Sequence, residues 1–202
     1  MDHPDGEEAV LALCDAGANV DAADVHGHTP LHYAVWRGSA SAVQLLLSRG
    51  ASSLKRAESD ICSPLHYASL LMSHPNGSEA VNSLLDAGWD VNTAGSNGWT
   101  PLHWAAQFHV PSAVLLLLKA GADPRACDNR GCQPLHHAAN VVSSSGNRIQ
   151  LIIMALLQAG ADSDALSIEG CTPLEHAFLQ GNISAAKVLI KAGATVCLWI
   201  YC

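Results

Sequence analysis

The sequence predicts an all-α solenoid of stacked helix–turn–helix units with projecting hairpin loops. Three observations carry this. A heptad recurs as HTPLHYA (28–34), CSPLHYA (62–68), WTPLHWA (99–105), CQPLHHA (132–138) and CTPLEHA (171–177). A tetrad accompanies it as DAGA (15–18), SRGA (48–51), DAGW (86–89), KAGA (119–122), QAGA (158–161) and KAGA (191–194). The steps from tetrad glycine to the next heptad proline are 13, 14, 13, 13 and 13, and from proline to the next glycine 20, 24, 20, 26 and 20, so the basic period is 33. A period in this range marks an array whose units bury their apolar faces on one another.

Each element has a local reason. Thr29 before Pro30 is an N-cap followed by proline at the first helical position, where the missing N–H is harmless. Ser63–Pro64, Thr100–Pro101 and Thr172–Pro173 repeat the device, whereas Gln133 lacks the hydroxyl and predicts a weaker cap. The first full unit then has a short helix ending near Gly38. A second helix starts near Ser39 and turns Val43, Leu46 and Leu47 inward at helical spacing. Gly50 supplies the left-handed position that closes it. The glycine-to-proline stretch, as in Asp128-Asn129-Arg130-Gly131, holds turn residues and reads as a hairpin-like loop. The chain divides into a partial unit (1–20), full units at about 21–53, 54–91, 92–124, 125–163 and 164–196, and an apolar tail (197–202), all within one domain, 1–202.

These residues resemble the ankyrin repeat, whose signature is T-P-L-H-x-A in a 33-residue unit. The resemblance covers about residues 7 to 196. It implies an L-shaped stack with a concave face built from the loops and first helices, and it implies protein binding rather than catalysis. The histidines His32, His66, His103 and His136 fall three residues after the cap, where the fifth copy has Glu175. At that position the side chain reaches back to the cap residue's N–H, as in a capping box. An exchange of His for Glu suits a structural clasp. It does not suit a metal ligand or a proton shuttle.

Other chemistry is sparse. The net charge is −8 with ten scattered Lys and Arg, which argues against nucleic acid as a partner. No apolar run reaches the ~18 residues that span a bilayer, and the acidic start MDHPDGEEAV does not read as a signal peptide. Seven cysteines without a framework spacing read as reduced thiols, which points to an intracellular, cytoplasmic protein. Cys127, Cys132, His136 and His137 lie close enough to consider zinc. Cys127 and Cys132 straddle a loop and His136 is spent on the clasp, so neither metal nor cofactor is expected. No nucleophile motif or phosphate loop occurs, and no enzyme is expected. The stretch LLDAGWDVN (84–92) resembles a loop that an asparaginyl hydroxylase modifies in some ankyrin proteins. The resemblance would make Asn92 the acceptor, whereas on its own residues Asn92 reads as a turn asparagine.

The recognition surface is expected at loop tips and on the solvent side of the first helices. Its candidates are Tyr33, Trp36, Arg37, Tyr67, Trp99, Trp104, Phe108, Arg130, His137 and His176. Most of the chain's ten Phe, Trp and Tyr residues fall there, and aromatic anchors dominate interface energies. A second surface is expected on the outer side of the second helices. VLLLLKA (114–120) and LIIMALL (151–157) are apolar all round, which offers Leu115, Leu116 and Met154, with Leu45 at the same register earlier.

Two insertions are expected between paired helices, within SLLMSHPNGSE (69–79) and NVVSSSGNR (140–148). The second hairpin departs from the others, with Ile61 for the turn glycine and a basic pair, Lys55 and Arg56. The partial first unit is expected to start directly with a second helix, near Glu7. The tail VCLWIYC (196–202) is expected to cap the array, dock on a partner or begin another unit. The function expected is a protein–protein interaction scaffold in a multi-subunit complex. The alternative is a substrate-recognition adaptor for an enzyme such as a ubiquitin ligase.

Overall fold

A computed structural model describes residues 4–51, 63–72, 76–140 and 146–196. Among them all regular structure is helical. The second-helix series is α1 (Pro4–Asp15), α3 (Ala40–Ser48), α5 (Gly77–Asp86), α7 (Pro111–Lys119), α9 (Gly146–Gln158) and α11 (Ile183–Lys191). The first-helix series is α2 (Pro30–Trp36), α4 (Ala68–Leu71), α6 (Pro101–Gln107), α8 (Pro134–Asn140) and α10 (Pro173–Leu179). In the second full unit a 3-10 turn, Pro64–Tyr67, precedes α4, where the heptad alone predicts a plain α-helix. The predicted tips of both insertions, the basic second hairpin and the apolar tail lie largely outside the described residues.

The helices group into two compact units, residues 1–96 and 97–202. In the first, α2 packs on α3, and α3 packs on α1 and α5. In the second, α6, α8 and α10 neighbour one another in series, and α7, α9 and α11 form a second layer behind them. Helical periodicity selects what each layer buries. Leu102, Leu117, Leu135, Ile152, Leu156, Leu174 and Leu189 are essentially inaccessible to solvent. Burying each such side chain contributes about 1.5–3 kcal/mol. The heptad alanines Ala105, Ala138 and Ala177 are also fully buried, and their small size lets adjacent first helices approach closely.

The hairpins of the second unit are tied by backbone bonds. Asn129 N–H donates to the Asn97 carbonyl at 3.0 Å, and Ile168 N–H donates to the Arg130 carbonyl at 2.8 Å. This approach requires a glycine at position 98. Gly98 has φ +78°, and a Cβ there would lie 2.7 Å from the Asn129 nitrogen. His109 is a non-glycine residue with φ 53°, at the end of α6 where the equivalent positions hold Gly38 and Gly181. Its ring is buried and lies 3.1 Å from the Ala138 carbonyl, a cross-helix bond that offsets the strain.

Candidate functional site

The clasp forms as its spacing predicts. The Thr29 N–H donates to His32 Nδ1 at 3.0 Å, Thr100 N–H to His103 Nδ1 at 3.0 Å, and Gln133 N–H to His136 Nδ1 at 3.0 Å. In the fifth copy Thr172 N–H donates to Glu175 Oε2 at 2.7 Å. Ser63 Oγ lies 2.9 Å from His66 Nδ1. Gln133 makes only half of the exchange, since its Oε1 is buried with no hydrogen-bond partner among the described residues. The spacing did not reveal what the far side of the ring does. His103 Nε2 is 3.1 Å from the Cys132 carbonyl, and His136 Nε2 is 3.2 Å from the Cys171 carbonyl. An Nδ1 that accepts leaves the proton on Nε2, which therefore donates to the next hairpin. Burial, with His176 adding repulsion, lowers the His136 pKa to about 4.

These clasps position the candidate surface. In the first compact unit Tyr33 and Trp36 are 45% and 41% exposed, Arg37 is exposed and Tyr67 is half-buried. Trp36 meets Tyr33 at 5.8 Å and Tyr67 at 5.4 Å between ring centroids, both edge-on. Tyr33 donates its hydroxyl to Asp24 Oδ2 at 2.8 Å, and that bond holds the Asp24 carboxyl below the usual range and raises the phenol. In the second compact unit Trp99, Trp104 and Phe108 form a continuous run, with centroids 5.8 Å and 5.3 Å apart. Phe108 is 57% exposed and the two indoles are half-buried. Arg130 is exposed and pairs with Glu169 at 2.8 Å.

Two candidates do not face solvent as expected. His137 and His176 are both buried: α8 lies between α6 and α10, and α10 packs on α8 and α11. His137 lies under the Trp99 indole, with ring centroids 4.4 Å apart. Its Nε2 meets Asp128 Oδ2 at 2.9 Å and its Nδ1 meets Gln107 Oε1 at 3.2 Å. His176 packs edge-on against His136 at 5.2 Å. Burial lowers the pKa of His137, as it does for His176. His137 therefore supports the aromatic run from beneath. Exposed residues that the choice of site residues left out are Leu166, Ile168, Phe178 and Leu179. Hairpin register was the available signal for Ile168, since Val25 occupies the same tip position four units earlier and is 96% exposed.

Asp128, Cys132 and His137 place ligand-capable atoms within 4.8 Å of one another. They are also the residue types of a cysteine hydrolase. The chemistry opposes both uses. Burial and the Asp128 charge push the Cys132 thiol up to about 11, away from thiolate. His137 donates its Nε2 proton to Asp128, and its Nδ1 lies against the Gln107 amide, which ties the ring to the hairpin. Burial raises the Asp128 pKa, but hydrogen bonds from Cys132 N–H, His137 and Arg130 N–H outweigh it and leave the carboxyl low. The trio works as a post for the hairpin. His136, assigned to the clasp rather than to zinc, accepts from Gln133 N–H on Nδ1 and turns its Nε2 to the Cys171 carbonyl.

Cys14, Cys127 and Cys132 are free thiols, but Cys171 is disulfide-bonded, which corrects the expectation that every cysteine is reduced. Burial explains the misreading: Cys171 is 1% exposed and its pairing follows tertiary proximity, which sequence spacing does not encode. Asn92 is exposed, and its N–H donates to Asp90 Oδ1 at 2.9 Å, a turn geometry.

On the outer side of the second helices Leu115 is 56% exposed and Met154 41%, while Leu45 and Leu116 are half-buried. Leu151, at 58% exposure, joins them from α9. Among the described residues no helix is long and apolar enough to cross a membrane.

A family model for ankyrin repeats in three copies matches residues 5–58, 65–147 and 111–198. The chain is an ankyrin-repeat protein. Such repeats generally mediate protein–protein interaction. Human neurogenic locus notch homolog protein 2 is 35% identical over 109 residues, covering 54% of this chain and 4% of that protein. Mouse ankyrin repeat and SOCS box protein 6 is 39% identical over 95 residues, covering 46% of this chain and 22% of that protein. Dog inversin is 33% identical over 105 residues, covering 52% and 9%. The ankyrin chain thus spans a small part of these relatives' length.

Proposed function

We propose that this ankyrin-repeat chain is a non-enzymatic scaffold that binds a protein partner as a subunit of a larger, intracellular and cytoplasmic complex. The observation that supports it best is the connected run Trp99–Trp104–Phe108, part exposed and held from below by His137. Rigid aromatic side chains of this kind are the residues that carry interface energy. Arg130 borders the run as a charged contact. Tyr33, Trp36, Arg37 and Tyr67 form a second patch within the other compact unit. The outer surface around Leu45, Leu115, Leu116 and Met154 serves as a separate contact. The unit boundaries read from the sequence define the modules of this scaffold.

The second reading is an adaptor that selects substrates for an enzyme such as a ubiquitin ligase. The similarity to a protein whose ankyrin repeats accompany a further named module favours it, because such repeats are then the recognition part of a larger chain. Affinity capture of the tagged full chain, followed by mass spectrometry, separates the two. Stoichiometric subunits support the scaffold, and enzyme components support the adaptor. In parallel, Trp104→Ala should keep the helical circular dichroism and lose most capture. Undiminished capture by that folded variant removes the aromatic run from the site.

A further inference from the structure

The second-helix layer carries an open groove between α9 and α11, with a volume of about 650 Å³. Met154 and Leu157 of α9 and Val188 of α11 line it with apolar surface. Gln150 stands on the α9 side, and Lys187 and Lys191 stand on the α11 side. The lysines are four residues apart, so their side chains leave the helix about 6 Å apart along its axis. The chain as a whole has eighteen Asp and Glu against ten Lys and Arg, yet the described residues that line this groove include two lysines and no carboxylate. Neither lysine is ion-paired among the described residues. The nearby carboxylate of Asp164 is engaged by Thr195, whose N–H and hydroxyl donate to it at 2.7 and 2.8 Å.

We propose that this groove docks an acidic amphipathic helix of a partner protein. Apolar side chains of that helix cover Met154, Leu157 and Val188, while carboxylates one turn apart meet Lys187 and Lys191. Long lysine stems extend the apolar wall and keep their charged ends at the rim, which suits a ligand greasy on one side and acidic on the next. A nucleic acid or an anionic membrane would meet the same lysines. The chain's net charge of −8 repels both over a larger footprint, whereas a short helix contacts the groove alone. The inference rests on the reading that the second-helix surface is a contact site, and it is independent of the first-helix aromatic runs.

The test uses the full chain and three probes. One is a capped helical peptide with leucine at i, i+3, i+4 and i+7 and glutamate elsewhere. The second has lysine for glutamate, and the third is phosphatidylserine vesicles. The expected result is that the acidic peptide shifts the NMR signals of residues around Met154, Leu157 and Val188. Lys187→Glu/Lys191→Glu, both at exposed positions, should weaken the acidic peptide about fivefold to tenfold and admit the basic one. Equal affinity of wild type and the double variant for the acidic peptide overturns the proposal. Signals that move elsewhere, absence of binding, or vesicle association that depends on the two lysines also overturns it. Leu115→Glu gives the separate control. If it leaves assembly intact, the broader outer-surface reading fails even where the groove binds its peptide.

Discussion

The Nε2 of His103 lies 3.1 Å from the carbonyl oxygen of Cys132, while its Nδ1 accepts from Thr100 N–H at 3.0 Å. One buried imidazole thus closes the start of its own helix and ties down the hairpin of the following unit. Glutamate makes the first contact, as Glu175 does, but has no N–H to donate in the second. His103→Phe keeps the ring's shape and loses both bonds. It should cost about 2–3 kcal/mol, read as a lower urea midpoint with the same slope.

Acid should loosen the second compact unit first. Burial is the leading cause that lowers the pKa of His109, His136, His137 and His176. An unfolded histidine protonates near pH 6.5, while burial makes these take up a proton only at lower pH when folded, His136 at about 4. Below that value the unfolded state holds more protons, so the contribution is complete above about pH 6.5 and is lost as pH falls toward 4. The slope is about 1.4 kcal/mol per pH unit for each histidine that remains neutral. Thermal melts between pH 7.5 and 4.5 should show a falling Tm, and His136→Gln should flatten that fall. A Tm independent of pH over the range contradicts it.

Asp128 receives hydrogen bonds from Arg130 N–H, Cys132 N–H and His137 Nε2. Asp128→Ala leaves three donors without it, two of them buried, and should destabilise by about 2–4 kcal/mol. His137 supports Trp99, so the tryptophan emission should also shift to the red before global unfolding.

Gly98→Ala forces a side chain onto the Asn129 nitrogen at a positive φ. It should cost about 1–3 kcal/mol and weaken the Asn97–Asn129 bond, seen as faster amide exchange at Asn129.

Much of this was legible in the sequence because it is local. A threonine, a proline and a side chain three positions on decide the helix start among themselves, so every clasp could be placed from spacing. The apolar outer positions Leu115 and Met154 followed from helical register in the same way. What escaped needed contacts from other units. His137 reads as a surface residue until Asp128 and Gln107 close on its ring. The left-handed turn at His109 breaks the glycine pattern because a carbonyl on α8 compensates for it. Cys171 pairs through space. The groove is invisible along the chain, since Met154 and Lys187 lie on different helices and each alone looks like ordinary surface.

Asp24 and Asp128 occupy equivalent turns, six residues before their prolines, and each holds the side chain nine residues on: a tyrosine in one case, a histidine in the other. The anchoring carboxylate tolerates either occupant. Specificity in this protein is therefore interchangeable lettering on an invariant frame, and a new partner could be acquired by rewriting single positions without redrawing the backbone.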